Sequence, residues 1–557
     1  MAHGIMKISV QSEILTERRA VYMALKKMHG QYVNPGNQGF QLIANSGYVD
    51  KTMLIDLLNA RIGTTERLIC ISRPRRFGKS FAALMLSAYY DCSCDSHSLF
   101  DDKQIARCSS YLSYLNQYHV ICFDVTSFIS VVRRNERPLS EVPNMIVNAL
   151  RKELIEQFSE LKSDMSLTEC LLHCAESRKR KFVFIIDEWD ALIREAKNDT
   201  YTQRKYFDLL REWFKNISFT PKVIAAAYMT GILPIKKDGS QSAISDFKEF
   251  TMINPRAFGG YVGFNEEEVR AKCEENGMDF ATMKYWYDGY HFKGVGSVYN
   301  PNSVMQAIEN DDFDSYWTET SASESLMEYI SQDYNGLTKT IAELIAGIEV
   351  PVNPKGFAND LTTFRGKDDV LTLLVHLGYL AYDSEKKTVC IPNEEIRQEF
   401  QKSIREVHHD ATLKRLKESD ALLEATISGD EATVATLIER IHREETSPLH
   451  YNKEDSLRSV IKLAYYTYRD HYVQWEELPS GEGYADVVYL PKHDSGYPIL
   501  LIELKWNKDV QTAIDQIKTK HYPEAFKGYG YEIILVGIAY DKESKKHVCK
   551  IEKMTME

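Results

Sequence analysis

The feature that most constrains the fold of this chain is a short apolar run that leads through a basic loop into a helical stretch. The run is LICIS (68–72), the loop is RPRRFGKS (73–80), and FAALMLSAYY (81–90) follows. A strand, a tight loop and a helix in this order are typical of a phosphate-binding loop, because N–H groups at the helix N-terminus attract anions. Within the loop, Arg75 and Arg76 either contact phosphate or form a solvated basic surface.

Three further residues of the loop have the chemistry that a nucleotide requires. Gly78 lets the backbone come close to the phosphates, Lys79 can reach the β and γ oxygens, and Ser80 can place its hydroxyl on Mg²⁺. The usual motif has glycine where this chain has Arg73, so the match is incomplete. The segment nevertheless predicts a P-loop NTPase domain.

A second motif supports the first. The segment KFVFIIDEWD (181–190) is an apolar strand that ends in acidic residues, which is the form of a Walker B segment. Asp187 would hold Mg²⁺, and Glu188 would orient or deprotonate the attacking water. A later strand ends at Thr230, whose hydroxyl either lies beside the γ-phosphate or is an ordinary strand-end group. Together the two motifs predict binding of ATP with Mg²⁺ and leave its hydrolysis open.

The surrounding sequence predicts the architecture of this domain. From Tyr48 to about Met229, β-branched runs alternate with longer helical stretches, which indicates an α/β domain with a largely parallel sheet. The candidate strands are 67–72, 120–124, 182–186 and 223–229. Residues 254–310 are rich in Gly, Tyr and Phe, and we expect them to form a lid. Asn265 and Glu268 have the spacing of a capping box, which predicts a helix over EEEVRAKCEEN.

A second candidate site lies near the other end of the chain, where two apolar runs flank the turn-rich PKHDSG. The runs are 483–490 and 497–505. They predict an antiparallel hairpin. With the turn centred near Asp494, residue 486 lies across from about residue 502, so the carboxylates of Asp486 and Glu503 converge. The period of two places Lys505 on the same face as Glu503.

These side chains can bind Mg²⁺ or Mn²⁺, activate water and stabilise the charge that develops on a scissile phosphate. Ile502 and Leu504 are expected to face the core. Glu454 lies on the same side as the apolar stripe of the preceding helix and is a candidate further metal ligand. Gln516, in the following helix, could orient the phosphate or Lys505. The alternative is a hairpin whose Asp, Glu and Lys are ordinary surface charges.

The last hundred residues predict a helix, three short strands, a second helix and a final strand, YEIILVGIAY. This order resembles the core of PD-(D/E)XK nucleases, with Asp486, Glu503, Lys505 and Gln516 at the positions of the motif. In that family the acidic residues and the lysine are the catalytic residues, so the resemblance implies a metal-dependent nuclease domain.

Nearly the whole chain resembles the AAA-ATPase-like proteins of bacteria and archaea that are often fused to a PD-(D/E)XK nuclease domain. The segments that carry the resemblance are YVDKT (48–52), RPRRFGKS (73–80), IIDEWDAL (185–192), MTGILPI (229–235), AFGGYVGFNEEEV (257–269), WYDGYHF (286–292) and VYNPNSV (298–304). The family also has arginine in place of the first P-loop glycine. The resemblance implies ATP binding at Gly78, Lys79 and Ser80, with Asp187 and Glu188 as the partners of Mg²⁺ and water.

We therefore predict three parts: a P-loop domain with its lid over 1–310, a helical connector over 311–445 and a restriction-endonuclease-like α/β domain over 446–557. The net charge of −12 disfavours nucleic acid, but residues 451–557 carry 15 Lys and Arg against 17 Asp and Glu, so most excess acid lies elsewhere. The start of the chain lacks a secretory pattern, and no apolar run approaches the roughly 20 residues that cross a bilayer. We expect a cytoplasmic protein with no membrane partner.

Three functions are compatible with these motifs. The first is an ATP-gated, metal-dependent nuclease acting on DNA, which the intact Asp486, Glu503 and Lys505 favour. The second is a nucleotide-dependent DNA- or protein-binding or signalling module with an inactive nuclease fold, which the acidic net charge and the imperfect P-loop favour. The third is an ATP-driven motor that works as a homo-oligomer with an arginine finger supplied in trans. Arg256 is a candidate finger and equally a candidate for a salt bridge within the lid.

Overall fold

The structure, a computed structural model, divides into two compact units. Unit 1 comprises Met1–Thr318 and Pro351–Ile396, and unit 2 comprises Glu319–Val350 and Arg397–Glu557. The residues that the structure describes are 29–235, 244–317, 337–357, 364–406, 410–445, 457, 460–461, 464–465, 471–480, 483–492, 497–520, 522–526 and 532–554. The segment 311–445 contributes residues to both units.

Most of the described elements alternate between helix and strand up to residue 310. The helices there are α1 Gln38–Ala44, α2 Met53–Asn59, α3 Lys79–Tyr90, α4 His97–Phe100, α5 Tyr111–Tyr114, α6 Val125–Arg134, α7 Val142–Gln157, α8 Leu167–Ser177, α9 Ala191–Glu195, α10 Thr200–Phe214, α11 Thr220–Val223, α12 Glu266–Asn276, α13 Phe280–Tyr287 and α14 Pro301–Asn310. The strands are β1 Leu68–Ser72, β2 His119–Asp124, β3 Phe182–Asp187, β4 Ile224–Gly231, β5 Lys248–Phe250, β6 Phe264–Asn265, β7 Tyr290–Phe292 and β8 Gly296–Tyr299.

The remaining elements up to residue 445 are helices and three short strands, and the elements after residue 445 are mainly strands. They are α15 Leu337–Ile345, β9 Val350–Pro351, α16 Lys367–Leu377, β10 Ala381–Asp383, β11 Thr388–Cys390, α17 Glu394–Glu406, α18 Asp410–Ser428, α19 Glu431–Glu445, β12 Tyr472–Ser480, β13 Gly483–Pro491, β14 Ile499–Trp506, α20 Gln511–Thr519, β15 Ile533–Asp541 and β16 Lys546–Met554. The three short strands before residue 445 form a sheet in the order β10-β11-β9. Short 3₁₀ turns occupy Gln104–Arg107, Leu139–Glu141, Arg256–Phe258, Pro354–Gly356 and Tyr522–Phe526. None of the described helices is long and apolar enough to cross a membrane.

Five parallel strands form the main sheet of unit 1, in the order β2-β3-β4-β1-β5. Every residue of β1, β3 and β4 is buried. Strands covered on both faces require near-continuous apolar sequence, which is why these three runs are the clearest in the chain. The α/β class, the parallel sheet and the four predicted strands are confirmed, each strand to within two residues at either end. Strand β5 is additional, and of its three residues only Phe250 is buried.

The carboxyl ends of three of these strands lie together at one edge of the sheet. Ser72 at the end of β1 pairs with Gly231 at the end of β4, and β3 ends beside them at Asp187. Helix α3 starts at Lys79, directly after the loop that leaves β1. Because parallel strands present their carboxyl ends at the same edge, the P-loop, the Walker B carboxylate and Thr230 meet there.

The predicted lid, 254–310, contains an antiparallel sheet in the order β6-β8-β7. Its helices α12, α13 and α14 share an apolar cluster that includes Val269, Met283 and Val304. The capping box at the start of α12 is confirmed: the backbone N–H of Glu268 donates to Asn265 Oδ1 at 2.9 Å, and that of Asn265 donates to Glu268 Oε2 at 2.8 Å.

Unit 2 contains a mixed sheet in the order β12-β13-β14-β15-β16. Strands β14 and β15 are parallel and α20 joins them, while the other pairs are antiparallel. One face packs against α18 and α19 in a cluster that includes Leu422, Ile438, Val487 and Ile502. The predicted hairpin is therefore confirmed. Strand β16 adds to the single strand expected after the last helix, because its burial alternates weakly and leaves little apolar pattern to detect.

Candidate nucleotide and metal sites

The loop between β1 and α3 has the backbone geometry of an anion site. Arg76 and Gly78 both lie in the left-handed region, with φ of 66° and 85°. Glycine takes this conformation at little cost, so Gly78 suits the last position before the helix. The twelve-residue helix α3 begins at the next residue and directs its N-terminal N–H groups at the loop. These groups and the positive end of the helix dipole attract phosphate.

Lys79 turns its ammonium group back over the loop. Its Nζ donates to the carbonyl oxygen of Pro74 at 2.9 Å and lies 3.2 Å from Glu188 Oε1. The side chain is only 4% exposed. The charge of Lys79 is therefore matched by Glu188, and a bound phosphate would compete with that carboxylate for the same donor.

Arg73, at the position where the motif usually has glycine, is fully buried and serves the packing of unit 1. Its Nη1 donates to the carbonyl oxygens of Ser72 at 2.9 Å and Phe250 at 3.2 Å, and its guanidinium lies 5.0 Å from the ring centroid of Phe292. Burial lowers the pKa of Arg73 to about 10. The side chain thus ties the first residue of the loop to β5 and to the lid, which a glycine could not do.

Asp187 receives two hydroxyl groups from distant parts of the chain. Ser80 Oγ donates to Asp187 Oδ2 at 2.5 Å, and Thr230 Oγ1 donates to Asp187 Oδ1. Burial raises the pKa of Asp187 even though both hydrogen bonds act in the opposite direction. The sequence predicted Ser80 and Asp187 as partners of Mg²⁺ and left Thr230 open between a γ-phosphate contact and a strand-end hydroxyl, and the fold brings the oxygens of all three together.

Glu188 is held between two cations. Its backbone has φ of 50°, a strained value for glutamate. Oε1 faces Lys79, and Oε2 accepts a hydrogen bond of 2.7 Å from Arg194 Nη2. Burial opposes ionisation, but the charges of Lys79 and Arg194 outweigh it and hold the pKa of Glu188 below its usual value. Sequence reasoning missed Arg194, which the i, i+4 spacing from Asp190 in a new helix could have indicated.

A cavity of about 650 Å³ opens beside these residues. It is lined by the loop from Arg75 to Ser80 and by Glu188, and both Arg75 and Arg76 are exposed. Apolar and aromatic groups also line it, among them Ile43, Tyr48, Tyr261, Phe264 and Met305. Cavities of this size, largely apolar with a few convergent polar groups, suit small molecules and cofactors. Here the polar groups suit phosphates and the apolar groups suit a base.

The donor set fits ATP with Mg²⁺. Magnesium prefers oxygen ligands and is commonly bound by one or two protein groups together with phosphate oxygens. Ser80 and Asp187 supply such oxygens and already lie within hydrogen-bonding distance of each other. Lys79 and the N-terminus of α3 supply positive charge for the phosphates.

The second candidate site is built on the hairpin of unit 2. The structure pairs Val487 with Ile502, one residue away from the predicted pairing of 486 with 502. Cross-strand partners share a face of the sheet, and both Val487 and Ile502 belong to the same core cluster. Asp486 must therefore share the opposite face with Glu503. The correction of one residue brings the two carboxylates closer to the arrangement that the sequence predicted.

Three of the predicted residues of unit 2 are hydrogen-bonded to one another, and a fourth, Asp486, lies close to Glu503. Lys505 Nζ donates to Glu503 Oε1 at 2.8 Å and to Gln516 Oε1 at 2.7 Å. Gln516 Nε2 donates to Glu503 Oε1 as well. Asp486 Oδ2 accepts a hydrogen bond of 2.8 Å from the backbone N–H of Leu504. Glu454, the further predicted ligand, lies outside the described residues.

The cluster leaves one oxygen in need of a partner. Glu503 is 2% exposed, and its Oε2 has no hydrogen-bond partner within the described part of unit 2. Burial and the nearby charge of Asp486 raise the pKa of Glu503. A buried carboxylate oxygen without a donor is costly, and a divalent cation between Asp486 and Glu503 would remove that cost. The residues present therefore fit Mg²⁺ or Mn²⁺.

Tyr522 is a member of this cluster that sequence reasoning missed. Its hydroxyl lies 3.2 Å from Gln516 Nε2, and the side chain is 1% exposed. It follows Gln516 by six residues, in the 3₁₀ turn after α20. An aromatic residue at that distance gives no periodic signal, so only the fold could place it beside Glu503 and Lys505.

The two sites belong to two known kinds of domain. Residues 35–240 match the family model described as a predicted AAA-ATPase, and residues 452–550 match that of the PD-(D/E)XK nuclease superfamily. The chain therefore carries an AAA-ATPase-like domain followed by a C-terminal domain of the PD-(D/E)XK nuclease superfamily. This is the fusion that the sequence motifs predict.

One relative matches nearly the full length of the chain at low identity, and two solved structures match about two thirds of it. An "uncharacterized protein in vnfD 5′ region" of Azotobacter chroococcum mcd 1 is 20% identical over 516 residues, which cover 90% of this chain and 94% of the relative. A solved Walker-type ATPase of Pyrococcus abyssi is 12% identical, covering 63% of this chain and 94% of its own, with a TM-score of 0.32. The replication initiator DnaA, bound to AMPPCP and single-stranded DNA, is 10% identical over 67% of this chain and 93% of its own, with a TM-score of 0.27. At these TM-scores the fold assignment rests on the sheet and the loop themselves.

Proposed function

We propose that this chain binds ATP in unit 1 and cuts DNA in unit 2, with a divalent cation at each site and with nucleotide state controlling the cutting. One observation carries the nuclease part: Asp486, Glu503, Lys505 and Gln516 form one cluster in a domain of the PD-(D/E)XK nuclease superfamily. The cavity beside the P-loop supports the nucleotide part.

In unit 1, Ser80 and Asp187 would hold Mg²⁺, with Thr230 orienting the carboxylate. When bound, the metal neutralises phosphate charge and orients the γ-phosphate. Lys79 would exchange Glu188 for the β and γ oxygens of ATP. Glu188, released on that side, would then be available to a water molecule at the γ-phosphate. Arg75 and Arg76, which are exposed and line the cavity, would contact phosphates from the outer side of the loop.

In unit 2, Asp486 and Glu503 would hold Mg²⁺ or Mn²⁺, which supplies an activated water and neutralises charge on the scissile phosphate. Lys505 would stabilise the negative charge that develops on the phosphate oxygens. Gln516 orients Lys505 through its carbonyl oxygen, which lies 2.7 Å from Nζ. We expect the cluster to bind and polarise a phosphodiester.

The test is cleavage of plasmid and oligonucleotide DNA with Mg²⁺ or Mn²⁺, with and without ATP. We expect metal-dependent cutting that falls at least about 100-fold in Glu503→Ala, because a ligand and its charge are lost together. Asp515→Ala is the matched control, since this exposed acid lies beside Gln516 on α20 and bonds to Gln511. Its cutting should equal that of the wild type.

The outcomes separate the parts of the proposal. Cutting that ATP alters in the wild type but not in Lys79→Ala supports nucleotide control. No cutting of DNA under any condition, with ATP binding retained, would instead favour a nucleotide-dependent binding or signalling module, for which the net charge of −12 is the supporting observation. Cutting of an RNA oligonucleotide alone would contradict the assignment of DNA as the substrate.

A further inference from the structure

Arg194 occupies a position in the nucleotide site that neither motif defines. It lies on the short helix α9, four residues after Asp190, and its side chain is 15% exposed. Its Nη2 donates to Glu188 Oε2 at 2.7 Å, and its Nε donates to Asp190 Oδ2 at 3.0 Å. Arg194 also lines the cavity beside the P-loop. The guanidinium thus connects Glu188, which is expected to face the attacking water, with Asp190, which is more deeply buried.

Asp190 is a fixed anchor for that guanidinium. It is 1% exposed and accepts hydrogen bonds from the backbone N–H groups of Leu233 at 2.9 Å and Ile232 at 3.2 Å. The approach is close enough to require glycine at the end of β4, because a Cβ on Gly231 would lie 2.7 Å from Asp190 Oδ1. Because Asp190 is bonded to the backbone that directly follows β4, the fold fixes the orientation of Arg194.

Glu188 has a different partner on each oxygen. Lys79 approaches Oε1 at 3.2 Å, and Arg194 holds Oε2. A nucleotide that draws Lys79 onto its phosphates removes the first contact and leaves the second. Arg194 then remains bonded to Oε2 and fixes the orientation of the Glu188 carboxylate, including the Oε1 that Lys79 has left.

We propose that Arg194 is a positioning residue that orients Glu188 towards the attacking water in the same chain. This inference rests on the proposed ATP site. In the reaction, the water oxygen bonds to the γ-phosphorus and its proton passes to Glu188. The bond from the γ-phosphorus to the bridging oxygen breaks, and ADP leaves with the electron pair.

The sequence-derived candidate for an arginine acting in trans was Arg256. Its Nε lies 3.2 Å from Asn254 Oδ1, within the same short turn. Arg194, in contrast, already touches the acid on which it would act. The contacts therefore favour Arg194, acting within its own chain, as the arginine that positions Glu188.

The experiment measures ATP affinity, kcat for ATP hydrolysis and thermal unfolding of the full chain. We expect Arg194→Ala to lower kcat about 10- to 100-fold, with the affinity for MgATP within about threefold of wild type. Arg194→Lys should recover part of kcat, because it keeps the charge but lacks the planar fork that reaches both acids. Arg178→Ala is the matched control, since Arg178 makes a comparable two-point contact with Glu160, at 2.9 and 3.0 Å, on the exposed surface.

A mixing experiment separates cis from trans. Arg194→Ala and Lys79→Ala proteins are combined, and their hydrolysis is compared with the sum of the two alone. We expect the sum, whereas a rate above it would show that an intact arginine from one copy serves the other and would overturn the proposal. A kcat for Arg194→Ala within twofold of wild type, or an equal loss of affinity, kcat and thermal stability, would also overturn it.

Failure of the proposed ATP site can be distinguished from failure of the role proposed for Arg194. Wild-type protein that does not bind MgATP removes the nucleotide site itself. Wild-type protein that binds MgATP without hydrolysing it overturns the role of Arg194 in positioning Glu188 and leaves nucleotide binding standing.

Discussion

The two candidate sites differ in how their residues are assembled and in what surrounds them. In unit 1, Ser80 and Thr230 reach Asp187 across separations of 107 and 43 residues, and they meet beside a cavity of about 650 Å³. In unit 2, Glu503 and Gln516 lie 13 residues apart and bond directly within a hairpin and the helix that follows it. The first site is made by the sheet, and the second by local chain geometry.

The difference indicates what kind of ligand each site can accept. In unit 1, neutral hydroxyl groups satisfy the carboxylate of Asp187, and a metal with its nucleotide can replace those bonds in a space of suitable volume. In unit 2, a buried oxygen of Glu503 remains without a partner among the described residues. The cavity of unit 1 thus limits the size of a ligand, whereas the carboxylates of unit 2 favour a divalent cation.

The largest effect that separates the two sites is expected for Lys79→Ala. The loss of a charged donor to the phosphates should weaken ATP binding by about 2–3 kcal/mol, on the order of 100-fold. Metal-dependent cutting without ATP should stay as in wild type. Fluorescent ATP titration and the DNA cleavage assay measure the two properties on one preparation. Lys152→Ala, a change at a side chain 75% exposed on α7, is the control, and an equal loss of both properties in Lys79→Ala would contradict two separate sites.

A smaller effect is expected where Thr230 supports Asp187. Thr230→Val removes the hydroxyl and keeps the shape of a fully buried side chain, so Asp187 loses one of its two hydroxyl donors. We expect the Mg²⁺ concentration needed for ATP binding to rise about tenfold, from the loss of about 1.4 kcal/mol. The comparison variant is Thr220→Val, which removes a buried hydroxyl that donates to Trp213 O at 2.8 Å. An equal rise in both variants would mean that the effect is one of general stability.

The smallest effect is expected at the edge of the unit 2 cluster. Tyr522→Phe removes the hydroxyl 3.2 Å from Gln516 Nε2 and leaves Gln516 bonded to Glu503 and Lys505. DNA cutting should fall about three- to fivefold, with ATP affinity unchanged. Tyr465→Phe removes a similarly buried hydroxyl, 2.7 Å from Thr426 Oγ1, and should leave the cutting rate as it is. If the two variants behave alike, Tyr522 has only a packing role.

The sequence predicts most of the fold because the decisive strands are buried on both faces. Continuous apolar runs locate β1, β3 and β4, and the alternation of β14 places Glu503 and Lys505 together. The sequence fails where the pattern is weak: β5 has three residues, of which only Phe250 is buried, and the burial of β16 alternates at only two positions. The prediction that residue 486 lies opposite about residue 502 is accurate to one residue, because Val487 pairs with Ile502.

The residues of the candidate sites also fall into those that a sequence pattern located and those that it did not. Motifs located Lys79 and Asp187, since their spacing to a strand end is regular. Arg194 and Tyr522 could not be predicted because each contacts its candidate site through a neighbour, Glu188 and Gln516 respectively, and side-chain contacts of this kind depend on tertiary packing. The packing role of Arg73 could not be predicted either, because a departure from the motif does not indicate that the side chain is buried against Phe292.

Binding of Mn²⁺, followed by electron paramagnetic resonance, tests the central claim most directly because it needs no knowledge of the nucleic-acid substrate. Wild type should bind one Mn²⁺ without nucleotide and a second when ATP is added. Glu503→Ala should lose the first and keep the second, and Lys79→Ala should show the reverse. Equal binding of the first Mn²⁺ by wild type and Glu503→Ala, or no additional site with ATP, would contradict the assignment of separate metal sites to the two units.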